Sequence, residues 1–517
     1  MFKVESYKKG IVVSTVFNIF NKAVVFFNGI LIAYLFGVQP GTDLVFYINN
    51  SVLILGAFIT ALNSTVVIPE SMRIRAGEGT ERAMGFLNFY IFLYAIVITL
   101  VLALAIIFDP VSFFSVVSNF REEDLINNKP LLYLSLPLFG MIFITNLLID
   151  ILTSHKFFTI PMFVGIVNGV FSIVCISVFH EVFGLKSFLY GLLLSYTLNI
   201  VTLVYIMKRF LHWKFTRVHV VKEKRIWKNL GFAQLGNFTS TAASYMPMYI
   251  LSGFNTGIIT ALTFAQQISS LPTTLITYQF SSVAGIKFNE LYAAKDIKSL
   301  NRVFYECASF LHFVMIPLCC FLFFFARDVI EIILGFTPLS EQVSQNAALF
   351  LKYLGLLMPF MVINTLMARL FMASHKIKES FAYQVAFNIV LIICLYIAVQ
   401  NFGITGYPAA MVLTYFLNFG FCYFLEKKFF NFVDFGTIFK EFWLLAVVNL
   451  AIAFVVVYCL KFAQINHALL KVSVAGILYV LLLVGINKTF RLNSLVTLHL
   501  ESTLKKIFNY GASRGGQ

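Results

Sequence analysis

The chain has 517 residues, of which 60% are hydrophobic and only 12% charged, and its mean hydropathy is +0.87. Soluble globular domains carry about 25% charged residues, so this composition excludes that class and predicts an all-α integral membrane protein. A net charge of +15 is also typical of nucleic-acid binding. Here, however, Lys and Arg fall in alternate connectors between apolar segments, which excludes nucleic acid as a partner.

Apolar segments long enough to cross a bilayer as a helix, about 20 residues each, recur along the whole chain. They predict fourteen transmembrane helices, over residues 11–36, 43–68, 84–108, 130–153, 158–180, 185–207, 229–252, 257–286, 303–326, 345–372, 380–401, 405–425, 441–460 and 468–487. Connectors rich in Lys and Arg alternate with connectors that lack both, such as 37–41, 253–257 and 400–405. The positive-inside rule therefore predicts that both termini are cytoplasmic.

The first predicted span contains a permanent cation. Residues 21–43 read NKAVVFFNGILIAYLFGVQPGTD, and Lys22 lies about 20 Å from either end of this span. A charge at a helix centre costs at least about 2.5–3.5 kcal/mol, so Lys22 is a candidate site for an anionic substrate group such as a pyrophosphate. The alternative is that its long side chain extends to the membrane interface.

The two halves of the chain contain a weak internal repeat. Residues 37–50 (GVQPGTDLVFYINN) align with 253–267 (GFNTGIITALTFAQQ), and residues 184–210 align with 403–429. Each half holds six predicted spans, and an even number gives both halves the same orientation. We therefore predict two parallel six-helix repeats plus two extra C-terminal helices. The predicted domains are an N-lobe (1–210), a cytoplasmic basic linker (211–228), a C-lobe (229–429), the extra helix pair (430–490) and a cytoplasmic tail (491–517).

The basic linker allows two interpretations. Its Trp213, Phe215 and valines are typical of a segment that lies on an anionic leaflet, but a plain inter-lobe connector with a positive-inside bias is enough by itself to explain the charges.

Transporters built from two such repeats bind their substrate between the lobes. Polar residues in the first two spans of each half are therefore candidate binding residues: Lys22, Asn21, Asn28, Asn49, Asn50, Asn237, Gln266, Gln267 and Ser270. Lys22 has no polar counterpart, since its repeat mate is Phe238. Amides in membrane helices often only bond a neighbouring helix, and this alternative stays open for each amide.

Signatures of enzymes are missing from the sequence. It contains no Walker loop, no GxSxG motif and no Cys/His spacing typical of a metal site, and its seven cysteines lie in apolar segments. We therefore predict neither catalysis nor a bound cofactor. Acidic residues are also scarce in the spans, which disfavours an antiporter driven by a membrane carboxylate.

Three stretches resemble the MurJ/MviN lipid II flippases of the MOP (MATE/flippase) superfamily. They are FGVQPGTDLVF (36–46), IPESMRIRAGEG (68–79) and GIITALTFAQQISSLP (257–272). The resemblance implies a multi-pass protein of the bacterial inner membrane that is not an enzyme. It implies that a polyprenyl-(pyro)phosphate-linked glycan, lipid II or a related cell-envelope precursor, is moved from the cytoplasmic to the outer leaflet by alternating access.

The sequence departs from this family at its cationic positions. Lys22 remains from the cluster thought to hold the lipid-linked pyrophosphate, while Gly56, Ala57, Gln266, Gln267 and Ser270 occupy positions that are charged in the family. The departure favours another isoprenoid-linked glycan. The family's sodium site would fall on Asn237, Asn388 and Thr414, so coupling to Na⁺ or to the membrane potential is expected.

The resemblance also implies partners: the polyprenyl-linked anionic glycolipid, membrane lipids, and the polymerase or ligase machinery that uses the glycan. Two other functions stay open. One is a MATE-like small-molecule or ion antiporter, and the other is a non-transporting scaffold of a glycan-assembly complex.

Overall fold

The computed structural model describes residues 7–157, 159–219, 224–338, 340–490 and 492–493; side chains are not described at 7–16, 18, 161–162 and 224–234. Within these ranges the chain is helical and forms no strand. The first helices are α1 (Tyr7–Phe36), α2 (Pro40–Leu62), α3 (Ile68–Glu78), α4 (Thr80–Ile107), α5 (Pro110–Val117), α6 (Glu122–Asn127), α7 (Lys129–Ser154), α8 (Thr159–Phe183) and α9 (Lys186–Phe210). They are followed by α10 (Lys224–Leu251), α11 (Ile258–Pro272), α12 (Tyr278–Ala293), α13 (Ile297–Leu334), α14 (Glu341–Gly355), α15 (Leu357–Ala373), α16 (Ile377–Phe402), α17 (Gly406–Phe429), α18 (Phe435–Phe462) and α19 (Ala468–Phe490).

Ten helical stretches of the described chain are long and apolar enough to cross a membrane, or eleven when the bent pair α14 and α15 counts as one span. This confirms the predicted all-α, multi-pass membrane class. The predicted number of fourteen spans and the two-lobe repeat stay predictions.

Two helices are interrupted by a π-helical turn. The turn Asn63–Val67 connects α2 to α3, and the turn Thr273–Thr277 connects α11 to α12. A π turn inserts an extra residue into the helical ladder and occurs frequently at functional sites. Each turn falls inside the second predicted span of its half of the chain.

The described residues group into two compact units. The first comprises Met1–Phe264, Phe336–Val343 and Tyr383–Tyr407. One of its apolar cores lies among α3, α4, α7 and α9, and it also buries Trp213 from the segment after α9. The second comprises Ala265–Gly335, Ser344–Ala382 and Pro408–Gln517, and there α13 packs against α15, α18 and α19.

The beginning of the basic linker is anchored to α4. The Trp213 indole donates a hydrogen bond to Asn88 Oδ1 at 2.8 Å, and Asn88 Nδ2 donates to the carbonyls of Lys214 and Arg217, each at 2.7 Å. Trp213 is 4% exposed, so it is part of the protein core and does not lie on a leaflet. Residues 220–223 of the linker, and residues 494–517 of the predicted tail, lie outside the described residues.

Candidate substrate-binding site

Helix α1 carries the predicted cation. Lys22 is exposed, and its side chain forms no hydrogen bond or ion pair with any described residue. Asn21, its neighbour, is half-buried. A permanent charge with no counterion in the described protein is available to an anionic ligand.

Asn21 and Asn28 of α1 face α8. Asn28 is 7% exposed, and its Nδ2 donates to the carbonyl of Gly169 at 2.9 Å. The Asn21 amide lies against Gly165, where an added Cβ would come within 2.7 Å of Asn21 Nδ2. Two glycines four residues apart let membrane helices approach closely, so both amides lie in the α1–α8 packing interface in this conformation. Their predicted contact with substrate stays a prediction.

The amides of α2 have different environments. Asn50 Nδ2 donates to the hydroxyl of Thr263 on α11 at 2.9 Å, so this pair connects the second span of each predicted half. Asn49 is half-buried and has no hydrogen bond to the described residues.

The strongest tie between α2 and α11 comes from an acidic residue that the site prediction did not include. Asp43, 3% exposed, accepts hydrogen bonds from the backbone N–H of Gly257 at 2.5 Å, from the N–H of Thr260 at 2.9 Å and from the Thr260 hydroxyl at 2.6 Å. These N–H groups belong to the start of α11, where a helix leaves its first donors unpaired. Asp43 therefore caps α11 from another helix, and its negative charge interacts favourably with the positive, N-terminal end of the α11 dipole.

A second tie joins α2 to α10. The hydroxyls of Tyr47 and Tyr245 both donate to the carbonyl of Val117 at the end of α5, at 2.5 and 2.8 Å, and they lie 2.6 Å from each other. Nearby, the N–H of Asn119 donates to the Ser252 hydroxyl at 2.8 Å. The α5–α6 segment is thus fixed to the same ends of α2 and α10 that adjoin Asp43.

The remaining predicted binding residues lie on α10 and α11. Asn237 is half-buried, and its Nδ2 is a buried donor without a partner among the described residues. The Gln267 Oε1 is likewise a buried acceptor without such a partner, and Gln266 is half-buried. Ser270 is exposed and donates to the Gln267 carbonyl of its own helix at 3.2 Å. Buried polar atoms without a partner are uncommon, and a ligand or water satisfies them in many binding sites.

The residues of the predicted sodium site are neutral. Asn388 is 7% exposed and its Nδ2 lies 3.5 Å from the Thr239 hydroxyl, while the Thr414 hydroxyl is buried without a described partner. The described residues contain no group of three His, Cys, Asp or Glu side chains that could hold a metal ion. The sodium site stays a prediction.

Comparison with known families decides the class of the protein. The family described as "Lipid II flippase MurJ" matches residues 32–479 of this chain. The chain belongs to the MurJ lipid II flippase family. This confirms the resemblance seen in the three sequence stretches, and it places the chain among transporters rather than enzymes.

Two curated relatives support the assignment to the MurJ family. A probable lipid II flippase MurJ from Borreliella burgdorferi is 24% identical over 419 residues, which cover 76% of this chain and 77% of the relative. One from Buchnera aphidicola is 25% identical over 385 residues, covering 68% and 70% of the two chains.

Solved structures share the MurJ fold. A lipid II flippase MurJ in an inward closed conformation superposes with a TM-score of 0.75 at 18% identity, and the match covers 93% of this chain and 99% of that one. An inward-facing multidrug resistance MATE transporter of the MOP superfamily superposes with a TM-score of 0.61 at 15% identity. That match covers 81% of this chain and 96% of the transporter. At these identities the likeness concerns the fold alone.

Proposed function

We propose that this protein is a flippase that moves a polyprenyl-pyrophosphate-linked glycan, lipid II or a related cell-envelope precursor, from the cytoplasmic to the outer leaflet. The observation that carries this proposal is the match of the MurJ family to residues 32–479. The curated relatives named as probable lipid II flippases support it.

The proposed architecture is fourteen transmembrane helices, arranged as two parallel six-helix repeats with α18 and α19 as the added pair. The order helix, π turn, helix supports the repeat, because it occurs in α2–α3 and again in α11–α12. The alternating charge of the connectors supports cytoplasmic termini.

Lys22 is the proposed contact of the pyrophosphate. It is exposed on α1 and has no counterion among the described residues. The unpaired amide groups of Asn237 and Gln267 would bind neutral parts of the head group, since an amide both donates and accepts hydrogen bonds. The polyprenyl tail stays among the membrane lipids while the head group crosses.

Alternating access requires contacts that form and break at each side of the membrane. In the proposed orientation, Asp43 and the start of α11 lie at the outer side, next to connectors that lack Lys and Arg. The hydrogen bonds of Asp43 to Gly257 and Thr260 join α2 to the start of α11 there. We propose that these bonds break when the substrate is released.

The proposed driving force is the membrane potential or Na⁺. A potential that is negative inside favours outward movement of an anion by about 2.3 kcal/mol per charge per 100 mV. A sodium ion would be held by the neutral oxygens of Asn237, Asn388 and Thr414. We further propose that the glycan is passed on to polymerase or ligase machinery.

A MATE-like exporter is the second candidate, and it rests on the fold shared with the multidrug transporter. Replacement of the endogenous lipid II flippase in a bacterium, by depletion while this chain is expressed, separates the candidates. Growth is expected to be restored by the parent chain and not by Lys22→Ala expressed at the same level. A chain that inserts normally and protects cells from toxic compounds without restoring growth would contradict lipid II transport and favour the exporter.

A further inference from the structure

Helix α7 contains a carboxylate that the proposed transport path does not use. Asp150 lies about one turn before the end of a membrane-spanning helix and is half-buried. The one hydrogen bond that it makes with described residues comes from Asn63 Nδ2, at 2.8 Å, and it forms no ion pair with any of them. Carboxylates in membrane helices are rare, and they mark proton and ion pathways.

The partner of Asp150 is the first residue of the π turn that follows α2. Asn63 is completely buried, and its Oδ1 accepts a hydrogen bond from the Tyr94 hydroxyl at 3.0 Å. Tyr94, Asn63 and Asp150 therefore form a chain of hydrogen bonds that runs from α4 through the π turn to α7. A change at Asp150 acts directly on the residue where the regular helix of this span is interrupted.

The geometry favours a proton over a metal ion as the ligand of Asp150. An ion such as Na⁺ needs several oxygens directed at one point. Here an N–H group faces the carboxylate, and the oxygen of Asn63 is engaged by Tyr94. A proton needs no further oxygens. It converts the carboxylate from a pure acceptor to a group that also donates, which changes the hydrogen bonding available to Asn63.

Other titratable groups near Asp150 are few among the described side chains. Tyr94 faces it from α4 through Asn63. Arg75 of α3 lies beyond it, and its Nη2 donates to the Ser154 carbonyl at 3.5 Å. His155 follows the end of α7; burial lowers its pKa, and the nearby charge of Arg75 acts in the same direction. None of these three groups forms an ion pair with Asp150.

We propose that Asp150 binds and releases a proton during the transport cycle, and that its protonation state sets the hydrogen bonding of the π turn Asn63–Val67. The coupling to transport rests on the proposed flippase function, whereas proton binding at Asp150 does not. Protonation would weaken the hydrogen bond from Asn63 Nδ2 to Asp150, because an uncharged carboxyl oxygen is a poorer acceptor, and the α3 half of the span would then change its angle to α2 at the π turn.

Infrared difference spectroscopy on the purified chain in lipid vesicles tests proton binding directly. Titration from neutral to acidic pH produces carbonyl bands from all carboxyl groups that become protonated, and the parent chain is expected to show one component that is missing from the spectrum of Asp150→Asn. Asn146→Ala is the matched control: Asn146 lies one turn earlier on α7 and donates to the Gly56 carbonyl at 2.9 Å, but it does not titrate. Identical difference spectra for the parent chain and Asp150→Asn, or a missing component that responds to Na⁺ rather than to pH, would overturn the proposal.

Flipping of fluorescent lipid II in the same vesicles tests the coupling. The rate is expected to change by up to about tenfold per pH unit in the parent chain and in Asn146→Ala, as the binding of one proton requires. In Asp150→Asn it is expected to change less than about twofold over the same range. If the infrared component of Asp150 is lost in Asp150→Asn but neither the parent chain nor any variant flips lipid II, the flippase function is contradicted and proton binding at Asp150 is not. If the flipping rate depends equally on pH in the parent chain, Asn146→Ala and Asp150→Asn, only the coupling of Asp150 protonation to transport is contradicted.

Discussion

Thr260 donates two hydrogen bonds to Asp43, one from its backbone N–H at 2.9 Å and one from its hydroxyl at 2.6 Å. The two residues lie 217 positions apart in the chain, on the second predicted span of each half. A capping residue normally precedes its helix in sequence, whereas here the cap of α11 is supplied by α2. The start of α11 is consequently held in place by the first turn of α2.

Asp43→Ala is expected to destabilise the protein, because the N–H groups of Gly257 and Thr260 lose their acceptor. Loss of a helix cap costs about 0.5–2 kcal/mol. Asp43→Asn keeps one acceptor oxygen and is expected to lie between the parent and the Ala variant. Thermal unfolding in detergent measures the effect. Asn49→Ala, on the same helix but without a hydrogen bond to described residues, is the control, and an equal melting temperature for Asp43→Ala and Asn49→Ala would contradict the capping role.

Gly169→Ala is expected to disrupt the packing of α1 against α8. A Cβ at this position would lie 2.2 Å from the Val24 Cγ1, and overpacking of this kind costs about 1–3 kcal/mol. The second substitution Val24→Ala removes the clashing methyl groups and is expected to restore most of the stability. Gly77→Ala is the control, since nothing lies within 4 Å of its added Cβ. If Val24→Ala does not restore the stability of Gly169→Ala, α1 and α8 do not meet at Val24 and Gly169.

Asp434 is expected to make the stability of α18 depend on pH. Its carboxylate accepts hydrogen bonds from the hydroxyl and the N–H of Thr437, at 2.5 and 3.1 Å, and these bonds lower its pKa below the ordinary value of 3.8. A pKa lowered by folding adds stability that is complete above the ordinary value and is lost as the pH falls through the folded value. Asp434→Ala is expected to cost about 0.5–2 kcal/mol at neutral pH.

The control for Asp434 is Asp434→Asn, which keeps a capping oxygen but cannot titrate. Thermal unfolding at neutral and strongly acidic pH should show that the difference between the parent and Asp434→Ala shrinks in acid. The difference between Asp434→Asn and Asp434→Ala should stay constant. A parent advantage that is unchanged in acid would contradict the role of the charged carboxylate.

The class of the fold could be predicted from the sequence because apolar segments of bilayer length admit few other structures. The family could also be predicted, since the stretches 36–46, 68–79 and 257–272 resemble those of its members. The location of Lys22 inside an apolar segment can be read from the sequence without the structure. These predictions depend on local composition and spacing, which a single sequence displays directly.

Contacts between distant residues could not be predicted in the same way. Asp43 reads as an isolated acid at the start of a span, and nothing local reveals that its partners follow more than 200 residues later. Asn28 was predicted as a binding residue, but the sequence of its span does not say which neighbour the side chain meets, and the structure places its amide on the Gly169 carbonyl. The π turns at Asn63 and Thr273 were not predicted either, because runs of Ser, Thr and Val are as compatible with a regular α-helix as with a π turn.

Asp150 likewise could not be singled out from the sequence. Its side chain is half-buried against the π turn and bonded to Asn63. Only the packing of α7 against α2 and α4 reveals that environment.

The most direct test of the flippase function is transport by the purified chain in sealed lipid vesicles that contain fluorescent lipid II. A quencher added outside reports how fast the labelled head groups leave the inner leaflet. The account predicts rapid exchange with the parent chain, near-normal exchange with Lys22→Arg and a loss of at least about tenfold with Lys22→Ala, since one charged hydrogen bond is worth about 1.5–3 kcal/mol. Exchange by the parent chain no faster than in protein-free vesicles would contradict the flippase function, and equal rates for Lys22→Ala and the parent would contradict the role of Lys22.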